Sequence, residues 1–90
     1  MLDLETSRET IDELDRVIAT AYSTRLVLVK NIGAYKKANN INVLDENREQ
    51  QVLSNVTEIL KTNNLEEYTQ DVINLYKYIM DISKNKQNEK

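Results

Sequence analysis

The sequence has no cysteine, histidine, proline, tryptophan or phenylalanine, and only one glycine. Without cysteine there is no disulfide framework and no thiolate metal ligand. Without histidine as well, a zinc site would rest on carboxylates alone, and nucleophilic triads built on histidine are excluded. No cofactor and no metal are therefore expected. Lacking proline and nearly lacking glycine, the chain has little of the punctuation that strands and tight turns need. It also has no apolar run long enough to span a bilayer. The opening MLDLETSRET is acidic and polar, unlike a secretory leader, so a cytoplasmic protein is expected.

What remains is mostly helix-forming or helix-neutral residues. At 90 residues the chain suits one domain near the lower end of what a single core can stabilise, with no room for a regulatory domain. Apolar residues at 40% and charged residues at 30% fit amphipathic helices, so the expected class is all-α. A net charge of −3 argues against a general nucleic-acid or anionic-membrane binder, though not against a local basic pocket.

Three helices are expected, at about 4–39, 46–62 and 65–85, with no internal repeat and no interdomain linker. In the first, Ile11, Leu14, Ile18, Ala21, Leu28, Ile32 and Tyr35 follow an alternating three-and-four spacing that makes one apolar seam. Gly33 lies inside this helix at a cost of roughly 1 kcal/mol relative to alanine, but the seam runs past it. Asn39, Asn40 and Asn42 break the pattern, and Asp45 suits the N-cap of the second helix. That helix carries Val52, Val56, Ile59 and Leu60 as a stripe. Asn63 and Asn64 break again before a third stripe of Tyr68, Val72, Tyr76, Ile79 and Met80. The terminal KNKQNEK reads as a solvated end with no apolar partner.

Length adds a constraint. A helix of about 35 residues is roughly 50 Å long, whereas a compact chain of this size has a radius of gyration of about 12 Å. The two short helices could cover part of the seam, and a second copy is the simplest cover for the rest. An intertwined homodimer is expected.

Several charges sit on inward faces. Arg25 continues the seam from Ala21, and Lys36, eleven residues on, faces nearly the same way. A cation in an apolar stripe is costly unless an anion meets it. One reading pairs Arg25 with a glutamate across the bundle and leaves Lys36 exposed; the other keeps both for a ligand. Asp45, Arg48 and Glu49 extend the inward side of the second helix, although a cap and a surface ion pair would also account for them. Ser83 and Gln87 prolong the inward stripe of the third helix, unless that helix is simply turning polar. The set holds no activated nucleophile, metal cage or phosphate loop, so it suits positioning and electrostatic stabilisation of a small organic anion.

The ordered motifs resemble the all-α chorismate mutases over nearly the whole chain. They run Leu4-x-x-x-Arg8-x-x-Ile11-Asp12-x-Leu14-Asp15, then Arg25, then Ile32-Gly33-x-x-Lys36. Val43-x-Asp45-x-x-Arg48-Glu49, Val52-Leu53 and Ile79-Met80-Asp81-x-Ser83-x-x-x-Gln87 follow. The resemblance implies a dimer with two equivalent sites that rearranges chorismate to prephenate, in aromatic amino-acid biosynthesis, without a cofactor. It implies that Arg8 and Arg25 bind the substrate's carboxylates and that Lys36 and Gln87 reach the ether oxygen. Glu49 would accept from the ring hydroxyl beside Asp45, with Ser83 and Arg48 completing the polar wall. Arg8 and Arg25 are 17 positions apart, roughly 25 Å along one helix, so Arg8 is expected to come from the other protomer. Ser7 and Tyr22 depart from the family, which usually has aliphatic residues there.

Two rivals stand beside this reading. An isochorismate–pyruvate lyase would share the fold and cationic pocket, but the Asp45-x-x-Arg48-Glu49 group favours the mutase. A non-catalytic dimerisation or regulatory module would use the inward charges as interchain salt bridges, which contribute little net stability. A partner enzyme of the same pathway is left open.

Overall fold

A computed structural model describes residues 3–89. The chain forms α1 (Leu4–Ala38), α2 (Glu46–Thr62) and α3 (Thr69–Gln87), with a 3-10 turn at Glu66–Tyr68 leading into α3. There is no strand among the described residues. None of the described helices is long and apolar enough to cross a membrane.

The two breaks are built alike. Each helix ends on a pair of asparagines whose second member takes a left-handed conformation, Asn40 at φ 56° and Asn64 at φ 58°. Asparagine tolerates this region better than other residues with a Cβ. Ile41 N donates to Lys36 O at 2.8 Å and Leu65 N to Leu60 O at 2.8 Å, the six-to-one closure of a Schellman motif. The first asparagine of each pair also returns its side-chain amide to the helix, Asn39 to Tyr35 O and Asn63 to Ile59 O. Asp45 caps α2, its Oδ1 accepting from Arg48 N at 3.0 Å. Asp3 does the same for α1 by accepting from Glu5 N.

Two expectations about the third helix are corrected. Tyr68 belongs to the 3-10 turn and is half exposed, since the left-handed stop at Asn64 must unwind before α3 can begin. The final segment is not wholly a solvated end: α3 continues to Gln87, and its last turn packs on α1 at Gly33.

Most of the apolar seam on α1 is left uncovered by the two shorter helices. Ile11, Leu14, Ile18, Leu28, Ile32 and Tyr35 are all exposed, with Ile18 at 62% and Tyr35 at 64%. The face that meets α3 is offset by one residue: Val29 and Gly33 are buried, with Tyr22, Arg25, Leu26 and Lys36 half-buried beside them. The small core is completed by Val56, Leu60 and Met80.

The chain is accordingly long and thin, 56 × 24 × 17 Å, with a radius of gyration of 16.2 Å. Its accessible surface is 7534 Å². A compact monomer of this mass would expose about 5,400 Å².

Candidate active site

α3 runs beside α1, while α2 returns antiparallel between the two turns. This order brings the last third of α1, the start of α2 and the end of α3 to one place. There the three helices enclose a cleft of about 280 Å³, near the small end of the range for ligand sites. Its apolar floor includes Val29, Ile32, Val52 and Met80.

The polar wall comes from all three helices: Arg25 and Lys36 from α1, Asp45, Arg48 and Glu49 around the start of α2, and Ser83, Lys84 and Gln87 from α3. The cleft is thus lined by four cations and two carboxylates, a positive site on a chain whose net charge is −3.

Hydrogen bonds fix several of these groups. Ser83 is buried at 6% exposure and donates to Ile79 O at 2.7 Å, which turns its oxygen outward to accept from Arg25 Nη1 at 2.6 Å. The reading in which Arg25 pairs with a glutamate is not what is found: its partner is a neutral hydroxyl. Lys36 Nζ donates to Val43 O at 2.9 Å and ties the loop between α1 and α2 to the cleft. Arg48 Nη1 donates to Gln51 Oε1 at 2.7 Å. Among the described residues, Arg25, Lys36 and Arg48 have no carboxylate at salt-bridge distance.

Glu49 is held differently. Its Oε2 lies 3.1 Å from Lys84 Nζ, and both side chains are about one-third exposed. Asp81 Oδ1 stands 3.4 Å from the same nitrogen but is well exposed. The hydrogen bond to Glu49 raises the Lys84 pKa above its ordinary value; desolvation opposes the shift, and charge attraction from Glu49 and Asp81 adds to it. Lys84 was missed because it falls in the segment read as solvated. Its spacing, one residue after Ser83 and three before Gln87, was the available signal.

Gln87 reaches the cleft because of Gly33. A Cβ built on Gly33 would stand 2.5 Å from Gln87 Cα and 2.5 Å from its carbonyl oxygen. Only glycine permits so close an approach, which explains a residue that otherwise weakens the helix. Gln87 Oε1 is buried and has no hydrogen-bond partner. Seven of the eight candidate residues therefore meet in one cleft, while Arg8 does not line it. Arg8 is exposed near the far end of α1, roughly 25 Å from Arg25 by helical rise.

The sequence profile of the family described as chorismate mutase type II matches residues 7–88. The chain belongs to this family. No significant match is found among curated proteins or among solved structures. The chorismate mutase type II match takes in α2, α3, all but the first three residues of α1, and every residue of the cleft wall.

Proposed function

We propose that the chain is a chorismate mutase that rearranges chorismate to prephenate, working as a homodimer with two shared sites. The observation that carries this reading is the pair Arg25 and Lys36. Both are half-buried in one cleft and donate only to neutral oxygens. Partly buried cations without anionic partners are costly, and a small carboxylate ligand would offset that cost. A scaffold would instead be expected to pair such cations with carboxylates.

In the proposed reaction the ether C–O bond breaks as a C–C bond forms, with no proton transfer and no covalent intermediate. The catalyst must fold the substrate's side chain over its ring and stabilise charge on the ether oxygen. Arg25 would hold one carboxylate, steadied by Ser83. Lys36 would turn one of its three donors to the ether oxygen, and Gln87 would add its amide Nε2. Donors of this kind are worth roughly 3 kcal/mol each in a site that excludes water. Glu49 would accept from the ring hydroxyl, with Asp45 and Arg48 at the same rim. Gln87, being an amide, carries no proton to lose, so the rate should be nearly flat between mildly acidic and mildly basic pH.

Arg8 enters through the second copy. Two antiparallel α1 helices would bring Arg8 of one chain toward Arg25 of the other and would cover the exposed seam. The surface in excess of a compact monomer, roughly 2,000 Å², is on the scale that one chain buries in an obligate dimer. A cytoplasmic location and a role in aromatic amino-acid biosynthesis belong to the same proposal.

The test is to offer purified protein chorismate and isochorismate separately and to identify the products. Prephenate from chorismate supports the proposal. Salicylate and pyruvate from isochorismate, with no prephenate from chorismate, would reassign the chain to a lyase.

A further inference from the structure

Lys84 is the one cation of the cleft that is already paired with carboxylates, and none of the roles above uses it. Its partner Glu49 stands in the first turn of α2, while Lys84 stands in the last turn of α3. Each charge therefore also has the sign that its own helix end favours. The two side chains, both lining the cleft, meet at 3.1 Å, each only about one-third exposed, so the pair is more sheltered than an ordinary surface ion pair. Asp81 flanks Lys84 from its own helix at 3.4 Å but is 71% exposed, so water weakens that hold and Glu49 is the principal partner.

We propose that Lys84 is a positioning residue, pinning Oε2 of Glu49 so that Oε1 is presented to the substrate's ring hydroxyl. The proposal rests on the mutase reading of the cleft. It has a second physical consequence. Glu49 is the one cleft carboxylate not engaged in capping a helix, and Arg25, Lys36 and Arg48 line the same small space. A released Glu49 could turn to one of them and neutralise a cation needed for the substrate's carboxylates. Lys84 keeps Glu49 occupied on the α3 side, which orients the hydroxyl acceptor and leaves the anion site positive.

Lys84 thus acts through Glu49 rather than on the substrate, which a double-mutant cycle can test. Lys84→Met keeps the length of the side chain and removes the charge. It is expected to lower kcat/KM for chorismate about tenfold when Glu49 is present, and by less than about twofold in a Glu49→Gln background. Lys84→Arg can still reach Glu49 and should restore most of the loss. Melting temperatures taken alongside separate this from a purely structural effect, which would follow Tm and would persist without Glu49. Equal losses in the two backgrounds, or no loss in either, would overturn the positioning role while leaving the mutase reading intact. A wild-type chain that does not turn over chorismate would remove the mutase reading, and the role of Lys84 with it.

Discussion

Replacing Gly33 by alanine sets two physical effects against each other. In an exposed helix interior the change would add up to about 1 kcal/mol of stability through helix propensity alone. Here the new methyl group would lie 2.5 Å from two backbone atoms of Gln87 and 2.9 Å from a third. Carbon atoms make their best contact at about 3.5–4.0 Å, so the last turn of α3 would have to retreat by roughly 1 Å. No rotamer change relieves a clash with backbone. Overpacking of this kind costs about 1–3 kcal/mol, which outweighs the propensity gain and leaves a net loss of about 1 kcal/mol. For a domain of this size, that loss lowers Tm by about 4–8 °C. The catalytic consequence is larger. Gln87 rides on the displaced turn, and a 1 Å misplacement can lower a rate by as much as about a hundredfold. The expected outcome is a folded protein with kcat reduced tenfold or more and KM nearly unchanged, because Arg25 lies two turns away along α1. Circular dichroism melts and steady-state chorismate kinetics measure both. A Gly33→Ala protein that is more stable than wild type and fully active would refute the reasoning, since it would mean that α3 does not seat on α1 at this point.

Other predictions follow from the same geometry. Mixing Arg8→Ala and Arg25→Ala chains, each inactive alone, should restore about a quarter of wild-type activity after subunit exchange, because each mixed dimer has one intact shared site; no recovery would place both arginines in sites within one chain. Asp45→Ala removes the cap of α2 and should cost about 1 kcal/mol, read as a fall of about 4–8 °C in Tm. Asp45→Asn should keep most of that stability. The Lys84 pKa is raised above 10.5 in the folded chain, so its contribution to stability is complete below 10.5 and fades as pH rises through the folded value. The difference in urea midpoint between wild type and Lys84→Met should thus be constant through neutral pH and narrow above 10.5; a gap that widens in alkali would contradict the pairing.

Much of the fold was readable because it depends on local chemistry. Paired asparagines stop α1 and α2, an aspartate caps α2, and an uninterrupted pattern predicts the length of α1. The packing face of α1 was harder. Leu28, Ile32 and Tyr35 form one stripe and Leu26, Val29 and Gly33 another, about one residue around the helix. Periodicity finds both but does not say which meets α3 and which is left outward. Arg25 and Lys36 stood out because they interrupt an apolar stripe, which is visible in one dimension; in the structure both are half-buried at the cleft while much of that stripe stays exposed. The reason for Gly33 was not, because it is a contact with a residue 54 positions away. Lys84 was hidden for a related reason: a lysine in a polar tail looks solvated until α2 brings Glu49 beside it.

The most direct test of the central claim is the rate of chorismate loss, followed by ultraviolet absorbance, for wild type and Lys36→Ala at equal concentration. Prephenate is confirmed by its acid conversion to phenylpyruvate. Turnover by wild type that falls about a hundredfold or more in a folded Lys36→Ala protein is the predicted result. Wild-type turnover retained by Lys36→Ala, or no turnover by a well-folded wild-type chain, would contradict it.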